Sequence, residues 1–135
     1  MQRMTPDLAR KVLGVQRDGR LSPCPDMPNC ICSQYPQDKD HTTEPIAYSG
    51  GIKDAFAKIK RVMGVIGRTE LVAESQNYLR FECTSFLFRF IDDVEFLIDP
   101  DHSVIHLRSA SRLGYSDLGA NRARVEKIKK LWADL

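Results

Sequence analysis

The sequence predicts a two-layer α+β fold, in which an antiparallel sheet of about four to five strands is covered on one face by two amphipathic helices. Residues 51–66 and 118–135 place apolar side chains at helical spacing, whereas residues 78–84 alternate apolar and polar side chains as a half-buried strand does. The 135 residues suit one domain, which we divide into an N-terminal extension, 1–21, and a single α+β domain, 22–135.

The first 50 residues show little periodicity. A short helix is predicted within residues 1–20, with Thr5 as its N-cap. Residues 21–45 contain five prolines and predict a long loop, and a loop of this length inside a domain usually has a function. A short strand is predicted at Ile46–Tyr48.

The remaining elements alternate helix, strands and helix. The helix at 51–66 has one apolar stripe and ends before Gly67. The last helix, 118–135, has Asp117 or Ser116 as its N-cap. The strands predicted between the two helices are Leu71–Ser75, Tyr78–Thr84, Phe86–Asp99 and Val104–Ser111.

A two-residue turn at Pro100 and Asp101 would set the register of the last hairpin. The apolar faces then match, which burial requires. The pairs expected are Phe96 with Ile105, Val94 with Leu107, Asp92 with Ser109, Asp93 with Arg108, and Glu95 with His106.

Four polar side chains converge between the sheet and the last helix, and we call Asp92, Ser109, Ser111 and Asn121 the polar cluster. Asn121 lies in the middle of an apolar helix face, where its amide must be hydrogen-bonded. One interpretation is a buried network that fixes the helix to the sheet. The other is a pocket for a phosphate or carboxylate, flanked by arginines at 112, 122 and 124 and walled by Tyr115.

Three ordered motifs identify a resemblance to a family. They are CPDMPNC at 24–30, FIDDVEF at 90–96 and RSASRLGYSDLGANRARVE at 108–126. Together they resemble the family known as domain of unknown function 1499, over about Ser22 to Trp132. The resemblance implies a protein of bacteria or photosynthetic eukaryotes, often preceded by a signal or membrane segment, with no assigned reaction. The chain departs from the family pattern in showing no export segment and in having Cys32 where a serine is usual.

The cysteines leave several chemistries open. Cys24 and Cys30 bracket a loop that can bring them within disulfide reach, which is the preferred interpretation in an oxidising compartment. In a cytosol the pair would stay reduced or act as a redox couple. With Cys32 they could ligate a metal, but Cys83 or His41 would have to supply a fourth ligand, and the spacing is looser than in zinc sites. We predict no metal site and no cofactor, and we place Cys83 in the core.

Composition and charge exclude several classes of protein. An apolar fraction of 42% is that of a folded domain, and a net charge of +2 predicts no nucleic-acid binding. The bases concentrate near the two ends of the chain, which leaves a basic face for an anionic partner as an alternative. No export signal or membrane span is recognisable, so we expect a cytoplasmic protein, or a periplasmic or lumenal one if an export segment has been removed.

These observations predict a binding or accessory module for a small anionic ligand or a protein partner, and favour it over an enzyme. The alternatives are a thiol-dependent enzyme using Cys24 or Cys30, a hydrolase using Asp92, and a structural protein-interaction domain. Each of the three histidines, 41, 102 and 106, is expected at the surface. The predicted ligand-binding residues are Asp92, Ser109, Ser111, Arg112, Tyr115, Asn121 and Arg122.

Overall fold

Six strands and two helices make up the part of the chain that the structure describes. In this computed structural model, the described residues are 12–85, 89–112 and 119–135. In chain order the elements are β1 (Cys30–Cys32), β2 (Ile46–Ala47), α1 (Ile52–Ile66), β3 (Thr69–Glu74), β4 (Tyr78–Thr84), β5 (Ile91–Asp99), β6 (Val104–Ser111) and α2 (Ala120–Asp134). The predicted fold class is confirmed, although the antiparallel sheet has six strands rather than four to five.

Strand β6 organises the sheet. On one side it pairs with β5, and β4 and β3 follow in that direction. On its other side it pairs with β1 at residues 108–110 and with β2 at residues 104 and 105. Strand β1 lies inside the predicted loop 21–45, so that part of the prediction is wrong. All three residues of β1 are buried, and the segment therefore lacks the alternation that marks a half-buried strand.

Helix α1 follows the prediction within one residue. Gly51 is its N-cap, and Asp54 lies in the first turn, where a carboxylate interacts favourably with the helix dipole. Gly67 ends the helix with a φ of 76°, a backbone conformation that a residue with a side chain adopts only under strain. The side facing the sheet consists of Ala55, Phe56, Ile59, Val62 and Met63.

Helix α2 begins at Ala120 rather than at Leu118. Gly119 is its N-cap and has a φ of 81°, which glycine accommodates readily. The predicted caps Ser116 and Asp117 lie outside the described residues, as does Leu118. The buried residues of the helix are Asn121, Val125 and Ile128.

Strand β5 begins later in the chain than predicted. The Ser85 N–H donates to the Phe90 carbonyl, and the Phe90 N–H donates to Ser85 Oγ, both over 2.9 Å. These bonds close a loop, so that β5 begins at Ile91 and not at Phe86. Arg89 has a φ of 53°, which is incompatible with a continuous strand. Residues 86–88 lie outside the described part of the chain.

The register of the last hairpin differs from the prediction by two residues. Asp99 pairs with Val104, which leaves a four-residue loop in place of the expected two. The Asp99 carboxylate accepts hydrogen bonds from the backbone N–H groups of Asp101 and His102, and Ser103 has a φ of 54°. The observed pairs are Asp92 with Ser111, Asp93 with Ala110, Val94 with Ser109, Glu95 with Arg108, and Phe96 with Leu107. Because a shift of two preserves the face of every side chain, the predicted apolar face is nevertheless correct.

The two helices cover one face of the sheet, and the segment from residue 14 to residue 22 lies over part of the other. On this second face, Leu21 and Cys32 pack with Tyr78 and Leu97. The described residues 12–20 contain no helix, and residues 1–11, where the predicted N-terminal helix would begin at Thr5, lie outside the described part of the chain. No described helix is long and apolar enough to cross a membrane.

Candidate functional site

The polar cluster assembles as predicted on the helix side of the sheet. Asn121 is fully buried, and its Oδ1 accepts hydrogen bonds from Ser109 Oγ at 2.6 Å and from Arg124 Nη1 at 2.8 Å. Its Nδ2 donates to Ser111 Oγ at 2.9 Å and to the Asn29 carbonyl at 3.1 Å. The amide thus forms four hydrogen bonds, which uses its full capacity.

Arg124 completes this cluster by neutralising Asp92. Its Nη2 lies 2.8 Å from Asp92 Oδ2, and its Nη1 also donates to Ser109 Oγ at 3.1 Å. The sequence indicated Arg124 only as a flanking base. The structure makes it the ion-pair partner of the buried carboxylate, so that charges and donors within the cluster are directed at one another.

Arg112 does not join the polar cluster. One residue beyond β6, its side chain lies on the opposite face of the sheet, where Nε donates to Asp93 Oδ2 at 2.8 Å and Nη2 to Glu82 Oε2 at 2.6 Å. Arg80 Nη1 donates to the same aspartate at 3.0 Å. The hydrogen bonds to Asp93 and Glu82 raise the pKa of Arg112. This guanidinium is therefore already occupied by two carboxylates.

Of the other two predicted ligand residues, Arg122 lies apart from the polar cluster. Arg122 is exposed on α2, where its guanidinium makes long contacts of 3.3 and 3.4 Å with the carbonyls of Asp40 and Thr42. Tyr115 lies outside the described residues. The structure thus brings together four of the seven predicted residues, namely Asp92, Ser109, Ser111 and Asn121.

A buried Glu–Arg pair on the second face was not anticipated. Glu95 and Arg108 are 0% and 1% exposed, and Glu95 Oε1 lies 3.5 Å from Arg108 Nη1. Glu95 Oε2 accepts from Tyr78 Oη at 2.6 Å and from the Gly14 N–H at 2.7 Å, while Arg108 Nε donates to the Ser22 carbonyl at 3.0 Å. Burial raises the pKa of Glu95 despite the neighbouring guanidinium. The pair anchors the N-terminal segment to the sheet.

The predicted disulfide is present. Cys24 and Cys30 are bonded with their Cα atoms 5.6 Å apart, and their sulfurs carry no thiolate in this state. Cys32 and Cys83 are free and buried. Burial raises the pKa of both thiols, to about 11 for Cys83, which makes them poor nucleophiles at neutral pH. Among the described residues no group of side chains has the arrangement of a metal site.

His41 is buried, so its predicted surface position is wrong. Its Nδ1 lies 2.9 Å from both carboxylate oxygens of Asp38, and its Nε2 lies 2.6 Å from the Met27 carbonyl. Both neighbours are acceptors, so each ring nitrogen must donate, and the imidazole is a cation. Burial opposes that charge, but the hydrogen bonds to Asp38 and Met27 outweigh it and raise the pKa of His41. Since Met27 lies in the disulfide loop, the cation ties this loop to the following segment.

A polar cleft of about 470 Å³ lies where residues 21–45, the loop segment, meet the second face of the sheet. Ser33 and His106 line it together, with Ser33 Oγ 3.0 Å from His106 Nδ1. His106 is half-buried and pairs with Leu97, not with Glu95 as predicted, whereas His102 is exposed as expected. The remaining lining residues are Arg20, Gln34, Pro36, Lys39, Thr42, Thr43, Glu44 and Pro45.

A second cleft, of about 420 Å³, lies beside the two helices. Trp132 and Tyr48 line it, but Lys58 Nζ covers the Trp132 ring at 4.3 Å from the ring centroid. The lysine therefore forms a cation–π contact with this ring. Neither cleft was predicted from the sequence, because their walls join residues that are far apart in the chain.

Comparison with known proteins agrees with the three sequence motifs. No curated protein and no solved structure matches the chain at a significant level. The family described as proteins of unknown function (DUF1499) matches residues 20–131, a span that contains all six strands, helix α1 and most of α2. The chain therefore belongs to the DUF1499 family.

Proposed function

We propose that this protein is a binding module that holds a small anionic ligand in the cleft beside Ser33 and His106. The observation that carries the proposal is the lining of this cleft. Arg20 and Lys39 supply two positive charges against one negative charge, that of Glu44. The side chains of Gln34, Thr42 and Thr43 add hydrogen-bond donors that can orient a carboxylate or phosphate.

The polar cluster supports an architectural role better than a ligand site. The Asn121 amide uses all four of its hydrogen bonds, and Arg124 is bound to Asp92. An anion would have to break these bonds within a buried network, which costs about 1–3 kcal/mol for each polar group left unpaired. Arg112, on the other face, would have to release two carboxylates.

The size of the cleft favours a small ligand. A volume of about 470 Å³ lies within the usual range for small-molecule sites, which is about 300–1,000 Å³. The cations lie in two different segments, since Arg20 precedes the disulfide loop and Lys39 follows it. Arg20 is also held by Asp18 at 3.1 Å and stacks over Tyr35, so Lys39 is the more adaptable of the two charges.

The disulfide supports an oxidising compartment as the place of action. Disulfides persist in the periplasm, in the lumen of secretory organelles and outside cells, and are rare in reducing cytosols. We therefore propose the periplasmic or lumenal alternative over the cytoplasmic one. The half-buried Cys24 and the fully buried Cys30 form the bond within a loop that three further contacts hold in place, through Ser22, Met27 and Asn29.

Isothermal titration calorimetry and thermal unfolding test the binding proposal, with citrate, succinate and inorganic phosphate as probes. We expect at least one probe to bind and to raise the melting temperature, because a ligand specific for the folded state stabilises it by about 2.7 kcal/mol at 100 times its Kd. Lys39→Gln should weaken that binding about five-fold, which corresponds to about 1 kcal/mol for the loss of one surface ion pair. The matched control is Lys53→Gln, which removes an exposed lysine on α1, outside the cleft.

Two results would count against this site. Binding that is equally strong in Lys39→Gln and in the native chain would place the anion elsewhere. Absence of binding for all three probes, in the oxidised protein, would leave the cleft without a ligand of the proposed class. If Arg112→Ala or Arg122→Ala weakens binding and Lys39→Gln does not, the anion binds at the residues expected from the sequence.

A further inference from the structure

We propose that Ser33 is a nucleophile and His106 its general base, so that the cleft hydrolyses small esters that carry a negative charge. This inference rests on the binding function proposed above and adds a reaction to the same site. The Ser33–His106 contact, at 3.0 Å, has the length required for proton transfer between a hydroxyl and an imidazole.

The hydrogen bonds around Ser33 direct its proton toward His106. The backbone N–H of Leu107 donates to Ser33 Oγ at 3.0 Å, which uses the hydroxyl as an acceptor. The Nδ1 atom of His106, when it carries no proton, is the acceptor for the hydroxyl hydrogen. This assigns His106 the tautomer with its proton on Nε2, the form in which Nδ1 can act as a base.

Burial keeps His106 neutral, and the charges near it act in opposing directions. Burial lowers its pKa, and the charge of His102 acts in the same direction, while Asp99 on the same hairpin opposes them. Arg20 and Lys39 in the cleft lining disfavour a second positive charge, whereas Glu44 favours one. An imidazole that is neutral at pH 7 is available to accept a proton.

The sheet holds the two side chains in fixed positions. Strand β1 ends at Cys32, and the Ser33 N–H continues the ladder by donating to the Leu107 carbonyl at 3.0 Å. His106 is the preceding residue of β6, so that both reactive groups are fixed by one pair of hydrogen-bonded strands. A site positioned by strands is better preorganised than one on a free loop.

The cleft lining defines the class of substrate. Lys39 and Arg20 can hold a carboxylate on the substrate, and the amide of Gln34 and the hydroxyls of Thr42 and Thr43 can donate to an oxyanion. The Gln34 Oε1 atom accepts from the Leu21 N–H at 2.7 Å, which leaves its NH₂ group to donate. The ester must be small, because the cleft measures about 470 Å³.

The reaction balances with water as the only co-reactant. Ser33 Oγ bonds to the ester carbonyl carbon as its proton passes to His106 Nδ1, and the carbonyl electron pair moves onto oxygen. When this intermediate collapses, the bond to the leaving alcohol breaks, and the alkoxide takes the proton from Nδ1. Water then attacks the acyl-serine ester and gives a proton to Nδ1, which returns it to Ser33 Oγ as the carboxylic acid leaves.

A fluorophosphonate probe tests the nucleophile in the native chain without any substitution. Attack by Ser33 forms an oxygen–phosphorus bond and expels fluoride, and the adduct is located by intact mass and peptide mapping. We expect a single adduct on Ser33. His106→Gln should slow labelling at least about 100-fold, the low end for loss of a general base. The control is Lys53→Gln, which removes an exposed side chain of α1 outside the cleft and should leave the rate unchanged.

Hydrolysis of 4-acetoxybenzoate, an ester that carries a carboxylate, tests turnover. Its neutral methyl ester should be hydrolysed more slowly, and Lys39→Gln should reduce the preference of the protein for the charged ester over the neutral one. Ser33→Ala should abolish both labelling and turnover, and citrate binding and thermal unfolding of this variant report whether it still folds.

The outcomes separate the reaction from the binding function. Citrate binding without a Ser33 adduct and without turnover overturns the reaction and leaves the binding proposal intact. If citrate, succinate and phosphate also all fail to bind, both proposals are overturned. An adduct on any other residue, or labelling that is equally fast in His106→Gln, also overturns the assignment. In each of these cases Ser33 serves only to extend the ladder between β1 and β6.

Discussion

Replacement of Asn121 by leucine tests whether the polar cluster acts as one network that joins helix α2 to the sheet. Leucine has the same branched arrangement of side-chain heavy atoms as asparagine, so that the substitution removes polar contacts without leaving a cavity. The four hydrogen bonds of the amide involve Ser109, Arg124, Ser111 and the Asn29 carbonyl. All four are lost together in Asn121→Leu.

The expected loss of stability follows from the hydrogen bonds that each partner of Asn121 keeps in the variant. The Asn29 carbonyl still accepts from the Ser111 N–H at 3.0 Å, and Arg124 keeps its ion pair with Asp92. The hydroxyl hydrogen of Ser109 loses its acceptor in a residue that is 0% exposed. One buried donor left unpaired predicts a loss of about 1–3 kcal/mol in the free energy of unfolding for Asn121→Leu.

The double variant makes the prediction specific. Removal of the Ser109 hydroxyl as well, in Ser109→Ala with Asn121→Leu, eliminates the unpaired donor. The combined cost should therefore be smaller than the sum of the two single costs, by about 1 kcal/mol. Urea unfolding followed by the fluorescence of Trp132, the single tryptophan of the chain, measures all three variants.

Lys127→Ala is the matched control, because it replaces an exposed residue of the same helix and should change stability by less than about 0.5 kcal/mol. Additive costs for Ser109→Ala and Asn121→Leu would refute the network, since independent sites add. A cost for Asn121→Leu no larger than that of the control would show that the amide does not stabilise the contact between α2 and the sheet.

Three further predictions concern the loop segment. The native chain should be more stable than His41→Gln by about 1.5–3 kcal/mol below about pH 6.5, and this difference should shrink as the pH rises through the raised pKa of His41 in the folded state. Urea unfolding at a series of pH values measures the difference. A difference that does not change with pH would mean that His41 is not a cation. Arg108→Met should lower the free energy of unfolding by about 3–5 kcal/mol at pH 7, because it leaves Glu95 buried without its cation. The loss should be smaller at acid pH, where Glu95 is protonated, and smaller again in the double variant with Glu95→Gln. Equal losses in the single and double variants would contradict this prediction. Reduction of the disulfide between Cys24 and Cys30 should lower the free energy of unfolding by roughly 2 kcal/mol, because the loop that it closes is short. Calorimetry with and without reductant measures this loss. An unchanged melting temperature would show that the other loop contacts suffice without the bond.

Periodicity predicted the core well and the pairing of residues less well. The apolar positions of α1 and of β4 lie in the core, as expected from their spacing of 3.6 and 2 residues. In the last hairpin the faces are correct but every pair is shifted, because the Asp99 carboxylate stabilises a four-residue loop. Such a loop depends on one side-chain cap, which the apolar pattern does not encode.

The candidate site was predicted only where a strand or helix defined the direction of the side chain. Asp92, Ser109 and Asn121 met because each lies inside a regular element. Arg112 lies just past the end of β6, where the alternation of a strand no longer determines which face of the sheet a side chain is on. Its side chain binds Asp93 and Glu82 on the face opposite the polar cluster. The pairing of Ser33 with His106 joins residues 73 positions apart through a three-residue strand, and no local spacing reports it.

The conspicuous polar residues of this chain act mainly on its loop segment. Asn121 binds the Asn29 carbonyl, Arg108 binds the Ser22 carbonyl, and His41 binds the Met27 carbonyl, so that the three hold backbone just before and within the disulfide loop. A proline-rich segment without periodicity cannot bury enough apolar surface to order itself, and these contacts with the disulfide supply what packing does not. The ordered segment forms the wall of the cleft that contains Ser33. The buried polar groups and the cleft are therefore two parts of one arrangement, in which the polar groups fix the loop segment and the cleft is the ligand site that we propose.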